Sequence, residues 1–184
     1  KLAVNSVGGT MNMVTKSTEA QKGGSAYFGI GNDGFRKYSV SFSTGLMDNG
    51  WAITFMGALN TGDGYVKGTN YEGWTYFGNI SKVINDHHKL SLTAFGAPQW
   101  HNQRSTMHYI EDYKNSPDGG RFNNGYGYIN GEAVGSGYGY NYYHKPQVSL
   151  NHYWTIDDKS TLTTSLYGSM ATGGGRRARG AMSN

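Results

Sequence analysis

The sequence predicts an all-β protein, an antiparallel up-and-down meander whose strands are suited to crossing a membrane. Three observations predict it. Seven segments of roughly ten residues alternate apolar and polar side chains, the period-two signature of a strand with one apolar face, and about 9–11 tilted residues suffice to cross a bilayer. The polar positions of these segments are mostly Ser, Thr, Asn and Ala rather than charged residues. Apolar residues make up only 36% of the chain and charged residues 15%, too few of the first for a large dry core and too few of the second for ordinary disorder. A barrel in lipid fits this balance, because only every second residue needs to be apolar. No run approaches the ~18 apolar residues of a spanning helix.

Taken in order, residues 2–5 and 10–16 read as short strands around a Gly8–Gly9 turn, where glycine permits positive φ or close backbone approach. Residues 17–24 form a polar, glycine-rich joint. The first barrel-like strand is 25–31, closed by the hairpin chemistry of Asn32, Asp33 and Gly34. Segment 37–46 is the cleanest: Tyr38, Val40 and Phe42 on one face, Ser39, Ser41 and Ser43 on the other. Turn 47–50 leads to 51–60, where Trp51, Ile53, Phe55 and Leu59 lie opposite Ala52, Thr54 and Ala58. A longer glycine-rich loop, 61–71, precedes 72–84, with Trp74, Tyr76 and Ile80 opposite Thr75, Asn79 and Ser81. After turn 85–88, segment 89–97 sets Leu90, Leu92 and Ala94 against Ser91 and Thr93. A loop of about fifty residues, 98–146, follows. The pattern resumes at 147–156 (Val148, Leu150, Trp154 and Ile156 opposite Ser149, Asn151 and Thr155), turns at 157–160, and ends with 161–170.

In such a meander alternate turns share a rim. The turns after the second, fourth and sixth strands are short, while those after the third and fifth are long, with the first as a short exception. Outer-membrane barrels segregate short periplasmic turns from long outer loops in this way. Trp51, Tyr71, Trp74, Tyr76, Tyr153 and Trp154 fall near strand ends, as interfacial girdles require. A soluble β-domain would place the same aromatics in its core.

The stretch Val7-Gly8-Gly9-Thr10-Met11-Asn12-Met13-Val14-Thr15-Lys16 resembles the GG-x-(I/M)-N-(I/V)-x-T-K signature that closes the plug of TonB-dependent outer-membrane receptors. Further stretches resemble the Bacteroidetes type of that family: Gly62–Tyr65, Asn79–Lys82, Leu92–His101, Tyr142–Gln147 and Leu150–Trp154. The resemblance implies a barrel of roughly 22 strands around a plug, of which residues 1–16 are the end of the plug, 17–24 a linker and 25–184 the first part of the barrel. It implies uptake of a scarce solute (iron chelate, cobalamin, glycan or peptide) across the bacterial outer membrane, driven by a TonB-type energy-transducing protein that acts on a plug segment outside this sequence. Gly8, Gly9, Asn12, Thr15 and Lys16 would then anchor plug to barrel. Outer-membrane lipid, lipopolysaccharide and a surface lipoprotein or other complex subunits are the remaining expected partners. With no initiator methionine, the chain reads as an internal piece of a longer protein.

Two other function classes stay open on the sequence: a scaffold barrel subunit within a larger outer-membrane assembly, and a soluble β-rich binding module. Nothing in the spacing suggests catalysis, a cofactor or nucleic-acid binding; the net charge of +4 is scattered except at Arg176, Arg177 and Arg179.

Loops as long as 98–146 usually carry function or disorder. Its Trp100, His101, Asn102, Gln103 and Arg104, with Tyr109 and Arg121, form the candidate ligand-facing set. Aromatic faces suit sugars, porphyrins or catecholates, and the two arginines suit acidic ligands; the alternative is a self-packed cover over the barrel mouth. His87 and His88 read as a solvated turn. Glu111, Asp112 and Asp118 lack the spacing of a calcium loop. Residues 173–177 have no helix behind them to make a phosphate cradle and read as a mobile loop that touches lipopolysaccharide.

Overall fold

The computed structural model describes residues 17–104, 107–129, 132–134 and 139–176. The expected plug strands, with Gly8, Gly9, Asn12, Thr15 and Lys16, lie outside the described residues.

Antiparallel sheet dominates. Its strands are β1 (Gly23–Ile30), β2 (Arg36–Leu46), β3 (Trp51–Gly62), β4 (Tyr71–Val83), β5 (His88–Gly96), β6 (Gln99–His101), β9 (Asn141–His144), β10 (Gln147–Asp157), β11 (Ser160–Ser169) and β12 (Thr172–Gly175). A separate small hairpin joins β7 (Gly127–Ile129) to β8 (Glu132–Val134). One short helix, α1 (Ile110–Asn115), and 3-10 turns at Ser17–Glu19 and Gly119–Arg121 complete the described elements. The seven alternating segments are the seven main strands, paired in the order β1-β2-β3-β4-β5-β10-β11. The sheet is open, with β1 and β11 at its edges among the described residues.

The region read as one long loop departs from that reading. On β4, Tyr76 faces Gly96 of β5 and Gly73 faces Gln99 of β6 in unbroken register, and Trp74 N–H still donates to Pro98 O at 2.8 Å. β6 is therefore the continuation of β5, interrupted only where Pro98 has no N–H for the ladder. Pro146 separates β9 from β10 in the same way, and β12 continues β11 across the gap opposite it. Residues 173–175, expected as a loop, belong to β12 and pair with Tyr143, Tyr142 and Asn141. The sheet thus stands several residues taller at the long-loop rim than the alternation alone indicated.

Short turns close the opposite rim. Gly50 (φ +79) ends the β2–β3 turn, and its carbonyl accepts Val83 N–H at 2.8 Å. A side chain there would be strained twice, by the positive φ and by a Cβ 2.6 Å from Val83 O. Gly45 (φ +66) supplies the bulge that shifts the β2–β3 register between Ser43 and Leu46. In the β4–β5 turn, Asn85 Oδ1 accepts from the N–H groups of His87 and His88 at 3.0 and 2.8 Å.

Burial runs opposite to that of a water-soluble sheet. The only buried apolar side chain among the described residues is Ala52. Ser43, Asn79, Ser81, Ser91 and Thr93, all on the polar face, are buried. The last four bond to one another: Asn79 Nδ2 donates to Ser91 Oγ (2.8 Å) and Thr93 Oγ1 (2.7 Å), and Ser81 Oγ donates to Asn79 Oδ1 (2.7 Å). Asn151 Oδ1 accepts from Ser165 Oγ further along (2.7 Å). The chain leading into β1 lies on this same face at the short-turn rim, where its 3-10 turn packs on β2, β3 and β4 and Thr18 Oγ1 accepts from Lys89 Nζ at 3.5 Å.

The apolar face is exposed. Cross-strand pairing aligns Ile53, Ile80, Leu92, Leu150 and Leu166 in one row, and Phe42, Phe55 and Val148 in the next. Aromatic groups flank these rows. Toward the short turns stand Trp51 under Lys82 Nζ (5.1 Å to the ring) and Trp154 stacked on His88. Toward the long loops stand Tyr38, Trp74 and Tyr76, the last bonded through its hydroxyl to His144 Nε2 at 3.0 Å. Tyr71 and Tyr153, expected in the same girdles, sit on the polar face instead; strand parity separates them from Trp74 and Trp154.

Candidate functional site

The chemistry-bearing end is the long-loop rim. Its loops are fastened to one another and within themselves by charged groups, among them Arg104 and Arg121, which the sequence offered as ligand contacts. Arg121 pairs with Asp33 Oδ1 at 2.6 Å, donates to Tyr65 O at 3.2 Å and lies over the Tyr65 ring at 4.8 Å. Lys67 pairs with Asp118, and Asn123 Nδ2 donates to Lys67 O at 2.7 Å. Arg104 donates to Phe122 O at 2.8 Å and lies over Tyr113. His108, Tyr113 and Phe122 pack edge to face beside it. Residues 102–104 and 107–123 therefore form a self-packed cap on the rim, held by cation–π and hydrogen-bond contacts. Asp112 serves the same local order, accepting the Tyr109 N–H at the start of α1.

Strand parity divides the remaining candidates. Trp100 pairs with Glu72 and Tyr142 on the face that carries Trp74, and it stacks with Tyr140. His101 pairs with Tyr71 and Asn141 on the polar face. Gln103 stands beside it, its Oε1 3.3 Å from His101 Nε2. Asn102 is buried and donates to Asn70 Oδ1 at 2.7 Å, while its own Oδ1 has no hydrogen-bond partner among the described residues. Tyr109 is almost fully exposed at the helix N-cap. The sevenfold candidate set is thus not one site: His101 and Gln103 belong together, Trp100 faces the other way, and Arg104 and Arg121 hold loops.

Around His101 the polar face forms a shelf of two adjacent rows. One runs Gly62, Tyr71, His101, Asn141 and Gly175; the other runs Asn60, Gly73, Gln99, Tyr143 and Gly173. Clefts of about 460 and about 710 Å³ open along it, the first lined by Asn60, Tyr71, Glu72, His101 and Asn102, the second by Gln103, Asn141, Tyr143, Gly173 and Arg176. Gln99, Asn141 and Tyr143 were not picked out as site residues by sequence reasoning, and Tyr71 was expected in a girdle. Their signal was present but broken: the alternation continues through Pro98 and Pro146, and only the carried register shows it.

At the other rim, His87 and His88 are more than a solvated turn. His88 Nδ1 lies 3.1 Å from His152 Nε2, with the rings stacked at 14°, and His87 Nδ1 lies 2.8 Å from Thr155 O.

Comparison with protein-family models, with curated proteins and with solved structures finds no match to this chain.

Proposed function

We propose that this chain is part of an energised outer-membrane receptor of the TonB-dependent kind, which takes up a scarce solute. The observation that carries the reading is the inverted polarity of the sheet: its aliphatic rows are exposed while its Ser/Thr/Asn rows are buried and hydrogen-bonded. In water an exposed aliphatic face of this extent is a liability; in a bilayer it is the required surface.

The dimensions agree. From Trp74 to Lys82, β4 rises roughly 26 Å at ~3.3 Å per residue. A tilt of about 40° brings this to about 20 Å, near the ~25 Å apolar band of outer-membrane barrels. On this reading Trp51 and Trp154 mark one interface. Trp74, Tyr76, Trp100 and Tyr142 mark the other, so Trp100 is a girdle residue. Open edges at β1 and β11 are untenable in lipid, so further strands of the parent protein complete the barrel. Residues 1–16 would be the end of a plug, joined to the barrel through 17–24, the stretch that enters β1 on the polar face.

The test uses the intact parent protein in its own cells. It is expected to fractionate with the outer membrane. Accumulation of a labelled panel of ferric chelates, cobalamin, oligosaccharides and peptides is expected to lose at least one member when the energy-transducing protein is removed. Recovery in the soluble fraction would overturn the membrane reading. Outer-membrane residence with no energy-dependent uptake would replace the transporter with a scaffold.

A further inference from the structure

We infer that His88 and His152, at the short-turn rim, form a binding site for a divalent late transition-metal ion, Cu²⁺ above all. The inference goes beyond the receptor reading and uses none of the residues at the long-loop rim. Four features carry it.

The first is donor spacing. His88 Nδ1 and His152 Nε2 lie 3.1 Å apart. Two imidazole nitrogens bound to one ion at about 2.0–2.1 Å, with about 90–110° between them, stand about 2.8–3.4 Å apart. The donors sit diagonally across the β5–β10 ladder, His88 opposite Trp154 and His152 opposite Leu90. Between two neutral imidazoles, one N–H proton occupies the bridge. Moving that proton to the far nitrogen of its ring, and turning the rings about their Cβ–Cγ bonds, frees both lone pairs for one ion. Both side chains are half-buried, so neither ring is enclosed on every side.

The second is preorganisation. Asn85 Oδ1 accepts the His88 N–H at 2.8 Å. Thr155 N–H donates to His87 O at 2.8 Å, and His87 Nδ1 lies 2.8 Å from Thr155 O. The turn is thus tied both to itself and to β10. Trp154 lies against the His88 ring, with 5.6 Å between ring centres. The two donors are held near each other before an ion arrives, which lowers the ordering cost of binding.

The third is access and charge. A cleft of about 480 Å³ opens beside His88, lined there by Asp86, His87, Lys89, Trp154 and Thr155. Its two charged liners, Asp86 and Lys89, are of opposite sign, and Lys89 Nζ lies over the Tyr153 ring on the other face. Lys82, in the row of His152, is drawn off to Asn49 O and the Trp51 ring.

The fourth is the ligand set. No group of three or more His, Asp or Glu side chains gathers at metal-ligand spacing among the described residues. The protein therefore supplies two nitrogens, and water fills the remaining positions. Tetragonal coordination by nitrogen and oxygen suits Cu²⁺, which also binds imidazole more strongly than Ni²⁺ or Zn²⁺ does.

A bound ion staples β10 to β5. That pairing closes the longest connection in the sheet, between Gly96 and Gln147. A clip across a long connection offsets the most loop-closure entropy, and it holds the register that keeps each β10 side chain on its own face.

The experiment uses the intact parent protein in detergent, stripped of metal by a chelator and titrated with Cu²⁺, with Ni²⁺ and Zn²⁺ as comparators. At one equivalent, the paramagnetic resonance spectrum of Cu²⁺ is expected to show two imidazole nitrogens. Affinity is expected to fall at least about tenfold in His88→Gln and in His152→Gln, while His108→Gln in the cap leaves it unchanged. Saturating Cu²⁺ is expected to raise the thermal unfolding midpoint of the wild type and not that of His152→Gln. Glutamine keeps a hydrogen-bonding side chain at each position, and assembled protein levels report folding separately. If a variant does not assemble, the nitrogen count on the wild type still decides. Equal affinity in wild type and both variants, a signature of one nitrogen or none, or an unmoved wild-type midpoint would overturn the inference. None of these results bears on the receptor reading, which rests on the polarity of the sheet.

Discussion

The two faces of one sheet differ more than most pairs of domains do. They share the same strands, register and backbone bonds, yet Asn79 is 1% exposed on one and its neighbour Ile80 is 44% exposed on the other. Hydrophobic burial cannot be what holds this sheet in shape, because the aliphatic rows bury little against protein. The described structure relies on backbone ladders and on the Asn79–Ser81–Ser91–Thr93 network, with the apolar rows left to the solvent that suits them. Polar rows that bond to one another form a satisfied interior, which is the condition for burying them without penalty.

The sharpest way to break that comparison is to place a charge on the exposed aliphatic row. Leu92→Arg is expected to cost about 2–4 kcal/mol for the parent protein folded in lipid vesicles, read by denaturant unfolding. A change within about 0.5 kcal/mol is what a water-facing leucine would show, and it would refute the membrane assignment of this face. Next in size is Asn79→Ala, which takes the side-chain partner from Thr93 Oγ1 and leaves Ser81 and Ser91 only their 3.0 Å bond to each other in a buried site; it is expected to cost about 1–3 kcal/mol. Should Asn79→Ala be silent while Leu92→Arg is costly, the polar face is wetter than its burial indicates. Gly50→Ala follows, at about 1–3 kcal/mol from backbone strain and the approach to Val83 O; a neutral result would mean that the short turn relaxes freely. The smallest effect is expected from Arg121→Ala. Its ion pair with Asp33 is half exposed and contributes at most about 1 kcal/mol. Hydrogen exchange across 63–70 should quicken while global unfolding barely moves, separating the cap from the sheet beneath it.

The seven strands were legible because each carries its own alternation and the turns between them carry their own chemistry. Lys37–Leu46 shows both: period-two apolar residues, then Asn49 and Gly50 where the chain must reverse. The rim was harder. Pro98 and Pro146 interrupt the ladder without ending the strands, so a reading by local pattern stops at each proline while the register passes it. Composition pointed to 98–146 as the place for function, and the shelf does draw His101 and Gln103 from it. The same reasoning could not tell Trp100 from His101, adjacent in sequence and on opposite faces, nor foresee that Arg104 and Arg121 would be taken up by Phe122 O and Asp33.

Alternation, turn residues and composition are local properties, so the sequence by itself determined the seven main strands, the antiparallel order of the meander up to the long insertion, and which side chains of those strands share a face. Pairing across dozens of residues is not local. The closure of β10 on β5, the meeting of Tyr71, His101 and Asn141 in one row, and the stacking of His88 on His152 were decided only by the tertiary structure. Each depends on a register carried through several strands, and an error of one residue in it would turn every side chain to the other face.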